Sequence, residues 1–348
     1  MESMKKNLLA GISLGDFNGV GIEIILKSLK DNRLLENITP IIYGKEELLK
    51  KYMELIPELD IPFEIINSAN KAKRQKVNVI NITSDHFDCH PGKESSEAGE
   101  FAYLSLKAVT DDLSKGLIDL IITAPINKKN IQNENFKFPG HTEFLTSMSN
   151  IEQSLMFMVD HDLRVGLATN HVELKNINSV LTTQVIVEKL MLMKNSLEID
   201  FNIQKPKIAV LGLNPHAGDL GLIGQEEIDI ISPAISKAKE SGVLAWGPFP
   251  ADGFFGNSVY QKFDGVLAMY HDQGLIAFKT ISNNKGVNFT AGLPIIRTSP
   301  DHGTGMDISG KGIADEDSFR NAIYLAKDIF NNRIMAKKIK ENPLLSSS

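Results

Sequence analysis

The chain has 348 residues and only one cysteine, Cys89. That excludes an internal disulfide and agrees with a reducing compartment. No apolar run approaches the roughly 20 residues of a membrane span, so the sequence predicts no transmembrane helix. The start, MESMKKNLLAGISLGD, places Lys5 and Lys6 before an apolar stretch, but the stretch is short, contains glycine and meets Asp16 without a small-residue cleavage site. The expectation is a cytoplasmic protein. Basic residues are not in excess: 37 Lys and Arg against 43 Asp and Glu give a net charge of -6. A nucleic-acid footprint would need a basic face, so any anionic ligand has to be held by a local pocket. Repeats and low-complexity segments are also lacking, and only the tail LLSSS (344–348) reads as disordered.

What is present is alternation. Apolar, strand-like runs lie at 8–14, 38–44, 77–83, 117–125, 154–160, 164–170, 207–215 and 264–270. Between them, apolar spacings of three and four mark helices at 22–30, 45–56, 95–116, 185–199, 226–242 and 317–330. Near-continuous apolar strands belong to sheets covered on both faces. The class is α/β, mostly parallel, in a chain long enough for two domains.

In open α/β sheets ligands bind beyond the carboxyl ends of strands. There the sequence places Asn127-Lys128, Asn170-His171, Asn214-Pro215-His216 and His271-Asp272. Any one histidine reads as a rim residue bonded to backbone. Together His171, His216 and His271 read as a shared divalent-metal site, with positions left open for substrate. Such an ion polarises an alcohol oxygen. Asp252, Asp272 and Lys128 are the candidate proton acceptors, and the sequence does not choose among them. His86, His90 and His161, set among aspartates, read as surface residues.

In the segment FPGHTEFL (138–145), Thr142 reads as an N-cap followed by acidic Glu143. The same residues, with His141, equally make an anion site at a helix start. From Arg297 the chain runs through a glycine-rich stretch, 302–312, with no hydrophobic period. It is either a long surface loop or backbone approaching a flat or phosphorylated ligand. Lys279, Asn288 and Arg297 are suited to a phosphate or carboxylate. The turn SLGDFNGVGIE (13–23) has Gly19 and Gly21 but Ile24 in place of a third glycine. It is therefore read as a strand-to-helix turn and not as a Rossmann fingerprint.

The set GHTEFL (140–145), NPHAG (214–218), YHDQGL (270–275), GLPIIRTSPDHGT (292–304) and GKGIAD (310–315) resembles the 4-hydroxythreonine-4-phosphate dehydrogenase family of vitamin B6 biosynthesis. The resemblance implies a two-domain fold similar to isocitrate and isopropylmalate dehydrogenases, with the active site in a cleft between the domains. A cofactor-side domain (1–127 plus 286–348) and a metal, substrate and dimerisation domain (128–285) are expected. It implies metal ligation by His171, His216 and His271 (zinc, magnesium or cobalt), and substrate phosphate binding by His141, Thr142, Lys279, Asn288 and Arg297. The adenosine half of NAD or NADP is expected at His302, Gly303, Thr304, Gly305 and Asp307. The family is a homodimer with a shared active site, so the three histidines need not converge within one chain. This chain departs from the family at Phe17-Asn18, where a proline-alanine pair is usual, and at Gly253 and Gly305. The implied reaction is NAD(P)-dependent oxidation of 4-phosphohydroxy-L-threonine, followed by decarboxylation. A paralogous dehydrogenase of threonate or erythronate 4-phosphate keeps every one of these motifs. A three-histidine metallohydrolase is the rival of another class, and it has no need of the glycine loop.

Overall fold

The computed structural model describes residues 8–341; the tail 344–348 lies outside them. In chain order the elements are β1 (Leu8–Ser13), α1 (Gly21–Leu29), α2 (Asn32–Leu35), β2 (Ile38–Gly44), α3 (Glu46–Leu55), β3 (Phe63–Ile66), β4 (Val77–Asn81), α4 (Ser96–Ser114), β5 (Leu120–Thr123) and α5 (His141–Met148). There follow β6 (Leu155–Asp160), β7 (Leu163–Leu167), α6 (Ile177–Val180), α7 (Thr183–Ile199), β8 (Lys207–Leu211), α8 (Ser232–Glu240), β9 (Leu244–Phe249) and α9 (Ala251–Gly256). The last are β10 (Gly265–Ala268), α10 (His271–Ser282), β11 (Val287–Ala291), β12 (Arg297–Pro300) and α11 (Asp317–Glu341).

The chain forms two compact units, Met1–Phe144 with Ile295–Lys327, and Leu145–Pro294 with Asp328–Ser348. The first holds an all-parallel sheet in the order β3-β4-β2-β1-β5-β12. The second holds β11-β6-β7-β10-β8-β9, in which only β6 runs against its neighbours. The α/β, mostly parallel reading is met. The units divide at Phe144, Pro294 and Lys327, and the segment 128–144 falls in the first. The reason is aromatic: Phe136 stacks with Tyr103 on α4, and also with Phe138 and Phe144. That cluster fastens the segment to the first unit.

All the apolar runs read from sequence are strands, and β2, β5 and β10 are buried along their whole length. Four strands were not legible. β3 and β9 are edge strands with mixed burial, where one-sided exposure dilutes the apolar signal. β12 is buried throughout yet reads Arg-Thr-Ser-Pro. β11, Val-Asn-Phe-Thr-Ala, likewise alternates polar residues into the interior. Helix α10 was also missed, because its N-cap Tyr270 makes no side-chain cap and Gly274 interrupts the pattern. A Cβ at Gly274 would come within 2.9 Å of Val165 and 3.0 Å of Ala268 and Leu167, so that glycine lets α10 lie close against β7 and β10.

Candidate active site

In the first unit, chemistry gathers where β5 and β12 meet the start of α5. Arg297 opens β12 and is only 2% exposed. Its Nε and Nη2 donate to Thr123 Oγ1 at 3.0 and 2.7 Å, and Nη2 approaches His141 Nδ1 at 3.1 Å. Burial lowers the guanidinium to about 10, opposed by the nearby Glu143 carboxylate, so it stays cationic at neutral pH. Burial first, then the charges of Arg297 and Lys128, hold the His141 imidazole well below the usual histidine range. His141 is therefore neutral. With Nδ1 accepting from Arg297, the ring proton resides on Nε2, a buried donor with no hydrogen-bond partner. Phe144 N donates to Gly140 O, so α5 begins at His141. Thr142 thus lies inside the first turn and is not the N-cap expected from sequence. That turn sets the amino end of a helix beside a cation and a neutral imidazole, an arrangement suited to an anion. Lys128 is exposed beside it.

The stretch 302–312 is the second feature of this unit. Val20 N donates to Thr304 O at 2.8 Å, and a Cβ on Gly19 would meet that oxygen at 2.7 Å. The opening glycines therefore serve close approach to this loop. Phe17 and Asn18 tie the turn to residues 87–92. Phe17 packs on Phe87 and Phe101, while Asn18 accepts from His90 N at 2.7 Å through Oδ1 and from Gly92 N at 2.8 Å through its carbonyl. Gly305, Gly310 and Gly312 have φ of 51°, 73° and 73°, left-handed values that favour glycine. A Cβ on Gly303 would meet open space. His302 Nδ1 lies 2.9 Å from Gly303 O, its Nε2 is buried without a partner, and Asp307 is exposed. Smooth, glycine-lined backbone of this kind admits a flat ligand.

In the second unit, β7, β10 and β8 are adjacent and parallel, and each delivers one of the expected histidines beyond its carboxyl end. The His171 and His271 rings are 5.7 Å apart, centroid to centroid. His271 Nδ1 bonds Asp272 Oδ1 at 2.7 Å, which turns Nε2 outward, the orientation that a carboxylate imposes on metal-binding imidazoles. Both histidines line a cavity of about 290 Å³ with Asn170, Glu173, Tyr270 and Asp272. His216 sits in a left-handed turn, with φ of 54° at His216, 51° at Ala217 and 79° at Gly218, the kind of strain that collects at functional sites. Among the described residues no group of three His, Cys, Asp or Glu side chains stands ready to hold a metal. The His171 and His271 rings are thus neighbours, and His216 lies on the turn that follows β8. Two imidazoles, one oriented by a carboxylate, fit part of a divalent-cation shell and do not complete it.

Glu227 was not anticipated. It is 3% exposed, and its Oε1 accepts from Leu213 N and Asn214 N at 2.7 Å each while Oε2 accepts from Asn214 Nδ2 at 2.9 Å. A π-turn at Glu227–Ile231 brings it there, where the sequence reading had a plain helix over 226–242. Its only signal was an acidic residue where that helix begins. Lys279 is exposed on α10. Asn288 lies on β11 with its Oδ1 buried and unbonded. Asp252 is exposed on α9, which packs beside the His216 turn. His86, His90 and His161 are exposed, as expected.

Comparison with known proteins supplies the context. The family model described as "Pyridoxal phosphate biosynthetic protein PdxA" matches residues 36–326. A 4-hydroxythreonine-4-phosphate dehydrogenase from Bacteroides thetaiotaomicron is 48% identical over 335 residues, 96% of this chain and 92% of the relative. One from Sulfurihydrogenibium sp. is 41% identical, covering 90% of this chain and 96% of its own length. The crystal structure of 4-hydroxythreonine-4-phosphate dehydrogenase from Klebsiella pneumoniae superposes with a TM-score of 0.81 at 33% identity, over 95% of this chain and 99% of that one.

Proposed function

Because the chain belongs to the pyridoxal phosphate biosynthetic protein PdxA family, we propose that it is the NAD-dependent oxidoreductase that converts 4-phosphohydroxy-L-threonine to 2-amino-3-oxo-4-phosphooxybutanoate. That β-keto acid loses carbon dioxide to give 3-amino-2-oxopropyl phosphate. The observation that carries the substrate class is the anion site of the first unit: a buried cationic Arg297 and a neutral His141 with an unclaimed Nε2 proton beside the first turn of α5. Remote binding of a phosphate there converts binding energy into orientation of the reacting carbon. Thr142, Lys279 and Asn288 complete the substrate contacts in this reading.

His171, His216 and His271 would hold a divalent cation, and the turn 302–307 would take the adenosine half of NAD. Bound there, the cation supplies Lewis-acid polarisation of the substrate alcohol, and NAD supplies the acceptor for the carbinol hydrogen. Asp272 fixes the tautomer and tilt of His271. With Asp272 so engaged, Asp252 and Lys128 are left to take the hydroxyl proton. The second unit exposes Leu220 and Leu222 at 98% and 81%, and Leu174 at 71%. Exposed apolar groups of this size suit a subunit interface, and a homodimer would let a partner complete the imidazole set. A cytoplasmic enzyme accords with the described residues, in which no helix is long and apolar enough to cross a membrane.

The decisive assay follows NAD reduction by the purified protein with 4-phosphohydroxy-L-threonine and, separately, with erythronate 4-phosphate and threonate 4-phosphate, each with and without a chelator. Reduction with the first substrate alone, abolished by chelator, is expected. Preference for a sugar acid overturns the substrate. Turnover without nicotinamide points to the hydrolase instead.

A further inference from the structure

The turn that leads into α1 and the loop that ends near residue 314 are joined by something the proposed reaction does not use directly. Glu23, on α1, is completely buried. Its Oε1 accepts from Ala314 N at 2.8 Å and its Oε2 from Gly312 N at 3.3 Å. One helical turn on, Lys27 Nζ pairs with Glu23 Oε1 at 3.0 Å and donates to Gly312 O at 2.9 Å and Ala314 O at 2.6 Å. The two side chains therefore grip both the amide and the carbonyl of Gly312 and of Ala314. Nothing in this grip depends on the loop's own side chains.

A third anchor acts nearer the middle of the loop. Tyr52, on α3 and fully buried, places its hydroxyl 3.0 Å from Phe17 O, 2.8 Å from Gly19 O and 2.9 Å from Ser309 Oγ. Val20 N holds Thr304 O from the same turn. A stretch with so many glycines has a large conformational entropy to lose. It stays in one shape only if fixed from outside. An ion pair whose carboxylate is fully buried and whose ammonium is 19% exposed, each also meeting backbone dipoles, is the costly device that does so, because removing the ammonium leaves a desolvated carboxylate short of a partner.

We infer that Glu23 and Lys27, with Tyr52, are positioning residues for the nicotinamide cofactor: they hold the glycine loop 302–314 in its binding-competent shape before the cofactor arrives. The inference rests on the placement of the cofactor at that loop. If only a fraction of molecules has the loop in place, apparent affinity falls by that fraction. The chemistry after binding is untouched.

The test uses Glu23→Gln and Lys27→Met in the full-length, metal-loaded enzyme, with Tyr52→Phe as the mildest variant should either of the first two fail to fold. Glutamine offers one acceptor where Gly312 N and Ala314 N need two. The KM for NAD should rise roughly tenfold, the effect of one charge-assisted hydrogen bond. The KM for the phosphorylated substrate and kcat at saturating NAD should change less than about twofold. Hydrogen exchange at Gly312 and Ala314 should quicken in the variants without NAD, and in the wild type NAD should slow exchange across 302–314. Faster exchange with an unchanged KM for NAD overturns the positioning role. So does a fall in kcat with no split between the two KM values. Wild-type exchange indifferent to NAD overturns the placement of the cofactor, and it is read independently of any variant.

Discussion

Replacing Arg297 by lysine keeps a positive charge but removes the planar fork, and the structure sets the size of the loss. The guanidinium spends Nε and Nη2 on Thr123 Oγ1 and Nη2 again on His141 Nδ1. A lysine amine in the same buried pocket cannot serve Thr123, His141 and a ligand oxygen in one geometry. At about 1.5–3 kcal/mol for each hydrogen bond to a charged group, losing one to the phosphate, with poorer alignment of His141, costs on the order of 3 kcal/mol. That is about a hundredfold in kcat/KM. The assay compares 4-phosphohydroxy-L-threonine with 4-hydroxythreonine, which lacks the phosphate. The phosphorylated substrate should lose about a hundredfold and its dephosphorylated analogue less than about threefold, with the KM for NAD unchanged. Thermal denaturation of R297K establishes that the buried amine has not simply unfolded the first unit. Equal loss with both substrates would refute the reasoning, since it would mean that Arg297 supports the fold around Thr123 and not the anion.

Two further outcomes follow from the histidines. Because the folded state holds His141 well below its ordinary range, the unfolded chain binds a proton near pH 6.5 that the folded chain refuses. The stability so supplied is present above about 6.5 and is lost on acidification below it at ~1.4 kcal/mol per pH unit; denaturant titrations should show this slope in the wild type and not in His141→Asn. Replacing Asp272 by asparagine should weaken divalent-metal affinity about tenfold to a hundredfold, as loss of an orienting carboxylate does, measured by chelator competition; unaltered affinity would mean that His271 is not a ligand.

The legible parts of this protein were those where one physical requirement acts alone. Strands buried on both faces must be apolar, and so β2, β5 and β10 stood out in the sequence. Histidines beyond strand ends stood out for a related reason: an imidazole just after an apolar run has no packing role to explain it. What stayed hidden was polar structure placed inside. β12 is a fully buried strand whose sequence, Arg-Thr-Ser-Pro, reads as a loop, because Arg297 is there to be held by Thr123 and His141, and Thr298 Oγ1 donates to Ala322 O. Glu227 and Glu23 fall within stretches that show only helical spacing, yet each is buried to clasp backbone amides from a segment distant in sequence or strained in shape. A carboxylate that satisfies two peptide groups has no periodicity to betray it, since its partners lie anywhere in the chain. Buried charge is expensive unless it is fully bonded, and in both cases the bonding goes to a loop bearing candidate chemistry, the His216 turn in one unit and the glycine loop in the other. The residues that sequence reading found are those proposed to touch ligands; the residues it missed are those that keep the former in place.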